Sequence, residues 1–155
     1  MLKGRPDLKS AQLREQGYRQ ALAEAGIAVD EDLVLVGEYD AGVSQRQARQ
    51  LLTGGRRPTA VFAANDMSAI ATIETAAELG LRVPADLSVV GFDNIPESAL
   101  CSPPLTTVSQ PVREMGQRSI ELLLELIRGA GERTAEVNHI TLATDLVVRQ
   151  STQAL

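Results

Sequence analysis

Apolar residues along this chain follow two rhythms, a three-and-four spacing and short unbroken runs, and the two alternate. Between residues 10 and 25, Ala11, Tyr18, Ala21, Leu22 and Ala25 return at three- and four-residue intervals. That spacing predicts a helix with one apolar face, Ser10 at its N-cap and Gly26 as its stop. Residues 33–37, LVLVG, form a short apolar run of the kind a buried strand makes. The sequence SQRQ from Ser44 to Gln47 fits a capping box. It predicts a helix that turns Ala48, Leu51 and Leu52 inward and ends at Gly54 and Gly55. A strand over 59–64, a helix over 67–79 closed by Gly80 with Pro84 beyond, and a strand over 87–91 follow. Three helix–strand pairs with short connections predict an α/β fold: a parallel sheet with helices on both faces.

The alternation then stops. Ser102-Pro103-Pro104 reads as extended, because each proline disfavours helix in the residue before it. LTTVSQ is a short β-prone stretch, and Pro111 suits the first position of a helix capped by Gln110. Across 111–128, Val112, Met115, Ile120, Leu123, Leu124 and Ile127 make a broad apolar stripe. Residues 129–133 read as a loop, with strands expected near 137–142 and 144–149. No internal repeat or low-complexity tract interrupts the chain.

Composition narrows the chemistry. At 155 residues with 44% hydrophobic content, the chain fits one domain with a core. Aromatics supply only 3% of the residues, so Ala, Leu, Val and Ile must fill that core. A net charge of -5 argues against gripping nucleic acid by its phosphates. Arg46, Arg49, Arg56 and Arg57 sit among acidic residues and read as a solvated face. One cysteine, Cys101, excludes an internal disulfide, and no Cys/His cluster suggests a metal. His139, the only histidine, reads as structural or exposed, and no Ser-His-Asp set can be assembled. A phosphate-binding glycine loop is missing, since Gly54-Gly55 is followed by Arg56-Arg57 and a strand. The expectation is a protein that is not an enzyme and needs no cofactor or metal. No apolar run approaches the roughly 20 residues that cross a bilayer, and MLKGRPDLKS has no apolar signal segment.

Polar residues gather where strands end. Asn65 and Asp66 follow the strand at 59–64, and Asp93 and Asn94 follow the one at 87–91. In an open α/β sheet, ligands bind at the carboxyl ends of the strands. Asn65 and Asp93 suit a sugar ring, because a carboxylate accepts from hydroxyls and an amide donates and accepts. Asp66 reads better as the N-cap of helix 67–79 than as a ligand contact.

Four segments, LREQGYRQALAEAGI, PTAVFAANDMSA, RVPADLSVVGFDN and SPPLTTVSQPVREMGQRSIELLLELI, resemble the lactose-repressor (LacI/GalR) family of bacterial transcription regulators. Their order and spacing carry the resemblance over nearly the whole chain. It implies the second half of a two-subdomain effector-binding core like that of the periplasmic sugar-binding proteins. The DNA-binding headpiece and most of the first subdomain are then expected to be absent from this sequence. The implied division is 1–104 for the second subdomain, 105–130 for a hinge and a helix of the missing subdomain, and 131–155 for returning strands. The stripe on helix 111–128 would then need another partner, such as a second copy, or stay exposed.

The resemblance also implies roles. Arg14 matches an effector-contacting arginine, where composition alone would leave it on an exposed helix face. Tyr39 matches an aromatic laid against the effector, and Ser10 a less constant contact. Gln110, beside the hinge, either reaches the ligand or caps the following helix. Ile70, Leu100 and Cys101 fall where the family builds its dimer contact, although Ile70 alone reads equally as core. The implied partners are a sugar or sugar phosphate effector, a second copy in a homodimer, and DNA through the headpiece. The implied compartment is the cytoplasm, with no membrane partner. A periplasmic sugar-binding protein of a transport system is the alternative; a helix-turn-helix or a signal peptide upstream would separate the two.

Overall fold

The computed structural model describes residues 1–128 and 139–154. Six strands, β1 (Leu2–Lys3), β2 (Leu35–Val36), β3 (Ala60–Phe62), β4 (Ser88–Asp93), β5 (Thr106–Ser109) and β6 (Asp145–Val147), form its sheet. Helices α1 (Lys9–Glu24), α2 (Ala41–Thr53), α3 (Asp66–Glu78), α4 (Pro96–Leu100) and α5 (Val112–Arg128) connect or follow them. β1 pairs in parallel with β2, and the order β3-β4-β5 is parallel as well. A bridge between Leu2 and Ala63 joins the two parts. Among the described strands, only β6 runs antiparallel, with Thr107 opposite Val147 and Ser109 opposite Asp145. The parallel sheet expected from the helix–strand alternation is present.

The core lies where α2 and α3 pack on the middle of this sheet. Ala48, Ala69 and Ala76 are wholly buried, and their small side chains let the helix backbones approach closely. Leu51, Leu52 and Ile73 fill the space down to Leu2, Val61, Leu87, Val89 and Leu105. An aromatic-poor composition thus becomes a tight aliphatic interior. Outside it, Arg49 pairs with Glu78, and Arg56 with Asp30 and Asp32, so these arginines belong to a solvated face.

Several element ends depart from the sequence reading, each for a local reason. β1 is an addition: a two-residue strand has no periodicity, yet Leu2 in it and Met1 before it are buried. α2 opens at Ala41, not at Ser44, because Asp40 caps it by accepting from the Val43 amide at 2.7 Å. Ser44 lies inside the helix, buried, and donates to Ser68 Oγ at 2.8 Å. Ser10 is likewise not a cap; α1 starts at Lys9, after Leu8, and Ser10 is exposed in its first turn. In the 33–37 run a turn of 3-10 helix, Glu31–Leu33, takes the beginning, leaving Leu35–Val36 as strand. The PESAL segment folds as α4, a single short helix whose five residues give no apolar period to read. Of the strand expected near 137–142, residues 137–138 lie outside the described residues, and 139–142 are not strand.

α5 is unlike the other helices. None of its residues is buried, and Val112, Ile120, Leu123 and Ile127 are 63%, 58%, 51% and 62% exposed. A helix with that many large apolar residues in water marks a contact surface.

Candidate functional site

Arg14 is brought to the carboxyl edge of the sheet by α1, and it organises what lies there. One guanidinium nitrogen donates to the Ala64 carbonyl just past β3, and another donates to Asp93 Oδ1 at 3.3 Å. The same guanidinium lies 3.9 Å from the centre of the Phe92 ring and 5.8 Å from that of Tyr39. Arginine suits this position because its flat, delocalised cation can stack on rings while its edge donates hydrogen bonds.

Asp93 closes β4 and is the second member of the cluster. Its Oδ1 also accepts from Gln110 Nε2 at 2.6 Å. Burial pushes its carboxyl above the usual carboxylate range, while Arg14 and Gln110 pull it back. The backbone here is unusual: φ is 116° at Asp93 and 58° at Asn94. Non-glycine residues seldom take such values, and they concentrate at functional sites. Asn94 Nδ2 donates to Ser109 Oγ at 3.1 Å, tying the turn to β5.

Tyr39 stands on a second such turn, with φ of 58° at Glu38 and 62° at itself. Its ring occupies the space a methyl group on Gly4 would need, so a larger residue there would have to push the ring aside. The phenol oxygen is buried and has no hydrogen-bond partner among the described residues. A cleft of about 700 Å³ opens beyond Asp93 and Asn94, with Ser109 and Gln110 on its floor and Arg113, Gln117 and Arg118 of α5 along its wall.

Arg14, Tyr39, Asp93 and Gln110 are therefore gathered at one edge. Asn65 lies at the end of β3, but its Oδ1 accepts from the Ser68 amide at 3.0 Å, which makes it the N-cap of α3. The cap expected at Asp66 thus belongs to its neighbour. Ser10 is exposed, one helical turn before Arg14. Leu100, at the end of α4, is 83% exposed, whereas Ile70 and Cys101 are half-buried against the core. The Cys101 thiol donates to the Ser98 and Pro103 carbonyls at 3.4 and 3.3 Å. His139 is exposed. Among the described residues, no group of three or more His, Cys, Asp or Glu could hold a metal ion. None of the described helices is long and apolar enough to cross a membrane.

The profile of the periplasmic binding protein-like domain matches residues 1–152. The chain is 41% identical over 145 residues to the HTH-type transcriptional regulator MalR of Clostridium butyricum, covering 94% of this chain and 42% of that protein. The transcriptional regulator CelR in complex with cellobiose superposes with a TM-score of 0.90 at 37% identity, over 97% of this chain and 45% of its own. The Lac repressor dimer bound to operator and the anti-inducer ONPF superposes at 0.87 and 36% identity, over 99% of this chain and 51% of its own. The chain belongs to the LacI family, within the periplasmic binding protein-like domains. It spans about half the length, or less, of the relatives it matches.

In this LacI-family domain the second carboxylate, Asp66, is not a ligand group but a buried fastening. It is wholly buried, accepts from the Thr107 hydroxyl, and accepts from the Ile95 amide at 2.9 Å. It thereby ties α3 to β5 and to the turn after β4. Nothing in the sequence announces this role, because Thr107 is 41 residues away. Phe92 was missed as well: it reads as one more apolar strand residue, yet it stacks on Arg14.

Burial holds the Asp66 carboxyl above the usual carboxylate range; the Asp93 charge adds to this, while the bonds from Thr107 and Ile95 oppose it. A carboxyl raised in the folded state binds a proton there before it does in the unfolded chain. Its contribution to stability therefore increases as pH falls through the raised value and on to the ordinary carboxylate value of the unfolded chain, below which it levels off. In Asp66→Asn the amide can still accept from Ile95 and can donate to a turned Thr107 hydroxyl. The stability difference between wild type and Asp66→Asn, from urea midpoints at several pH values, is expected to shift toward wild type on acidification. A difference independent of pH across that window would contradict the assignment.

Proposed function

We propose that this domain is one wall of an effector site in a bacterial transcription regulator, and that the effector is a neutral sugar. The observation that carries this is the Arg14–Asp93–Gln110 cluster at the carboxyl edge of the sheet. It presents a cation, a carboxylate and an amide side by side, with two aromatic rings adjacent. Such a set offers both donors and acceptors to vicinal hydroxyls, and a flat surface to the apolar face of a ring. Because Asp93 offsets the charge of Arg14, an uncharged sugar fits better than a sugar phosphate. The buried Tyr39 hydroxyl, which lacks a partner, adds one more polar atom near the aromatic wall.

The domain division follows from this reading. Residues 1–104 make one subdomain, 105–130 cross to the other with α5, and 131–155 return. Asn65 and Ser10 are secondary contacts at most, the first being committed to its helix and the second exposed. Leu100, Ile70 and Cys101 belong to a contact with a second copy. DNA is held by a separate headpiece, and the regulator works in the cytoplasm without enzymatic activity. Effector acts by population shift, favouring one arrangement of the two subdomains and with it one spacing of the headpieces.

Calorimetry on the intact regulator tests this. The panel would comprise cellobiose, maltose, lactose, glucose 6-phosphate and a purine base. A neutral saccharide is expected to bind, with glucose 6-phosphate weaker. Binding of the purine base alone would overturn the sugar assignment.

A further inference from the structure

We propose that Arg149 is a positioning residue for this site. Acting through Asn94, it holds the turn after β4 so that the Asp93 carboxylate faces Arg14 and Gln110. The functional relevance rests on the sugar reading above, whereas the test below needs no ligand.

The turn requires outside support. Asp93 and Asn94 both lie at positive φ, a conformation that non-glycine residues keep only where the surroundings enforce it. Asparagine tolerates such values better than most residues, but tolerance does not choose one conformation. Three side chains hold Asn94: Ser98 Oγ donates to its Oδ1 at a long 3.5 Å, and Ser109 and Arg149 bind it more closely. Ser109 receives a hydrogen bond from its Nδ2, and Arg149 Nη2 donates to its Oδ1 at 2.7 Å.

Arg149 is itself rigidly placed. Its Nη1 donates to the Leu105 carbonyl at 2.7 Å and to Ser98 Oγ at 3.0 Å, and its backbone amide donates to Thr106 Oγ1 at 2.9 Å. One guanidinium therefore spans three segments: the turn after β4, α4, and the start of β5. All its acceptors are neutral, and it forms no ion pair among the described residues. A half-buried cation satisfied only by neutral oxygens is not there for charge pairing. What it supplies is a fork of fixed geometry, which lysine lacks. Donation from a charged group makes these bonds stronger than ordinary neutral ones.

A second tail residue separates positioning from mere stability. Ser151 is buried, accepts from the Thr106 amide at 2.8 Å and donates to the Val89 carbonyl at 2.6 Å. It fastens the same tail to the sheet without touching Asn94.

The experiment is nuclear magnetic resonance on the 155-residue chain, comparing Arg149→Met with Ser151→Ala. Two signals are followed: exchange of the Ile95 amide, which is bonded to Asp66, and the side-chain amide of Gln110, which is bonded to Asp93. Arg149→Met is expected to speed Ile95 exchange at least 10-fold beyond the change in global stability and to move the Gln110 signals. Ser151→Ala is expected to lower the denaturation midpoint while both signals follow global stability alone. Exchange that tracks global stability equally in both variants, or Gln110 signals unmoved in Arg149→Met, would overturn the proposal. Should Arg149→Met not fold, Arg149→Lys, which keeps the charge and loses the fork, is read by the same two signals.

Discussion

Gly91→Ala is expected to lower the stability of this domain by about 2–6 kcal/mol, measured by urea denaturation. Gly91 is buried in the middle of β4, between two layers that are already full. A methyl group there would overlap Asp66 Oδ1, come within 2.8 Å of Leu105 Cδ2 and lie 3.3 Å from the Ala69 Cβ. Neither Leu105 nor Asp66 has room to retreat, since both are wholly buried. Overpacking of this kind costs roughly 1–3 kcal/mol. Displacing the Asp66 carboxylate adds about 1–3 kcal/mol more, because it pulls a buried acceptor away from Thr107 and Ile95. The penalty is steric and lies in the folded state. A loss below about 1 kcal/mol would mean that α3 can slide away from the sheet, contrary to the tight packing of Ala69 and Ala76.

The second large effect concerns binding. In the intact regulator, Asp93→Ala is expected to weaken the tightest sugar of the panel at least 100-fold, corresponding to about 3 kcal/mol. The change removes an acceptor from the site and leaves Arg14, whose side chain is only 14% exposed, without its counter-charge. Leaving a sequestered charge unpaired costs about 2–5 kcal/mol. Asp93→Asn keeps the shape and one acceptor, so its loss should be smaller, on the order of 10-fold. Calorimetry on both variants decides the matter. Unchanged affinity in Asp93→Ala would remove Asp93 from the site.

The contrast between Asp93 and Asp66 shows what was legible in the sequence. Both follow strands and both look like ligand groups or caps, because strand ends and helix starts are local patterns. The alternation of 3.6-residue stripes with short apolar runs marked the parallel sheet and most of its helices for the same reason. What separates the two carboxylates is a contact with Thr107, far along the chain, which no local pattern encodes. Ser44 was misplaced likewise: a capping box matched, yet Asp40, four residues earlier, offered a better cap, and Ser44 was drawn inside to meet Ser68. β1 was invisible because two residues have no period, and its place depends on pairing with Val36 and Leu35. Arg14 stood out only through family resemblance, and Phe92 and Arg149 through nothing in the sequence. Their roles arise from long-range approach: 79 residues separate Arg14 from Asp93, and 55 separate Arg149 from Asn94.

β6 has a mechanical consequence. The chain departs along β5 toward α5 and comes back along β6, with Ser109 directly opposite Asp145 at the outer end of the pair. Among the described residues, the strand leading to α5 thus has β6 hydrogen-bonded beside it. A single strand would be a swivel. A paired ribbon bends readily out of its plane but resists sliding, since sliding would break the ladder between the strands. In the two-subdomain arrangement proposed above, motion transmitted through this ribbon is expected to be a bend rather than a slide. Gln110 sits at the root of that ribbon with its amide on Asp93, so bending there would act directly on a carboxylate that lines the cleft.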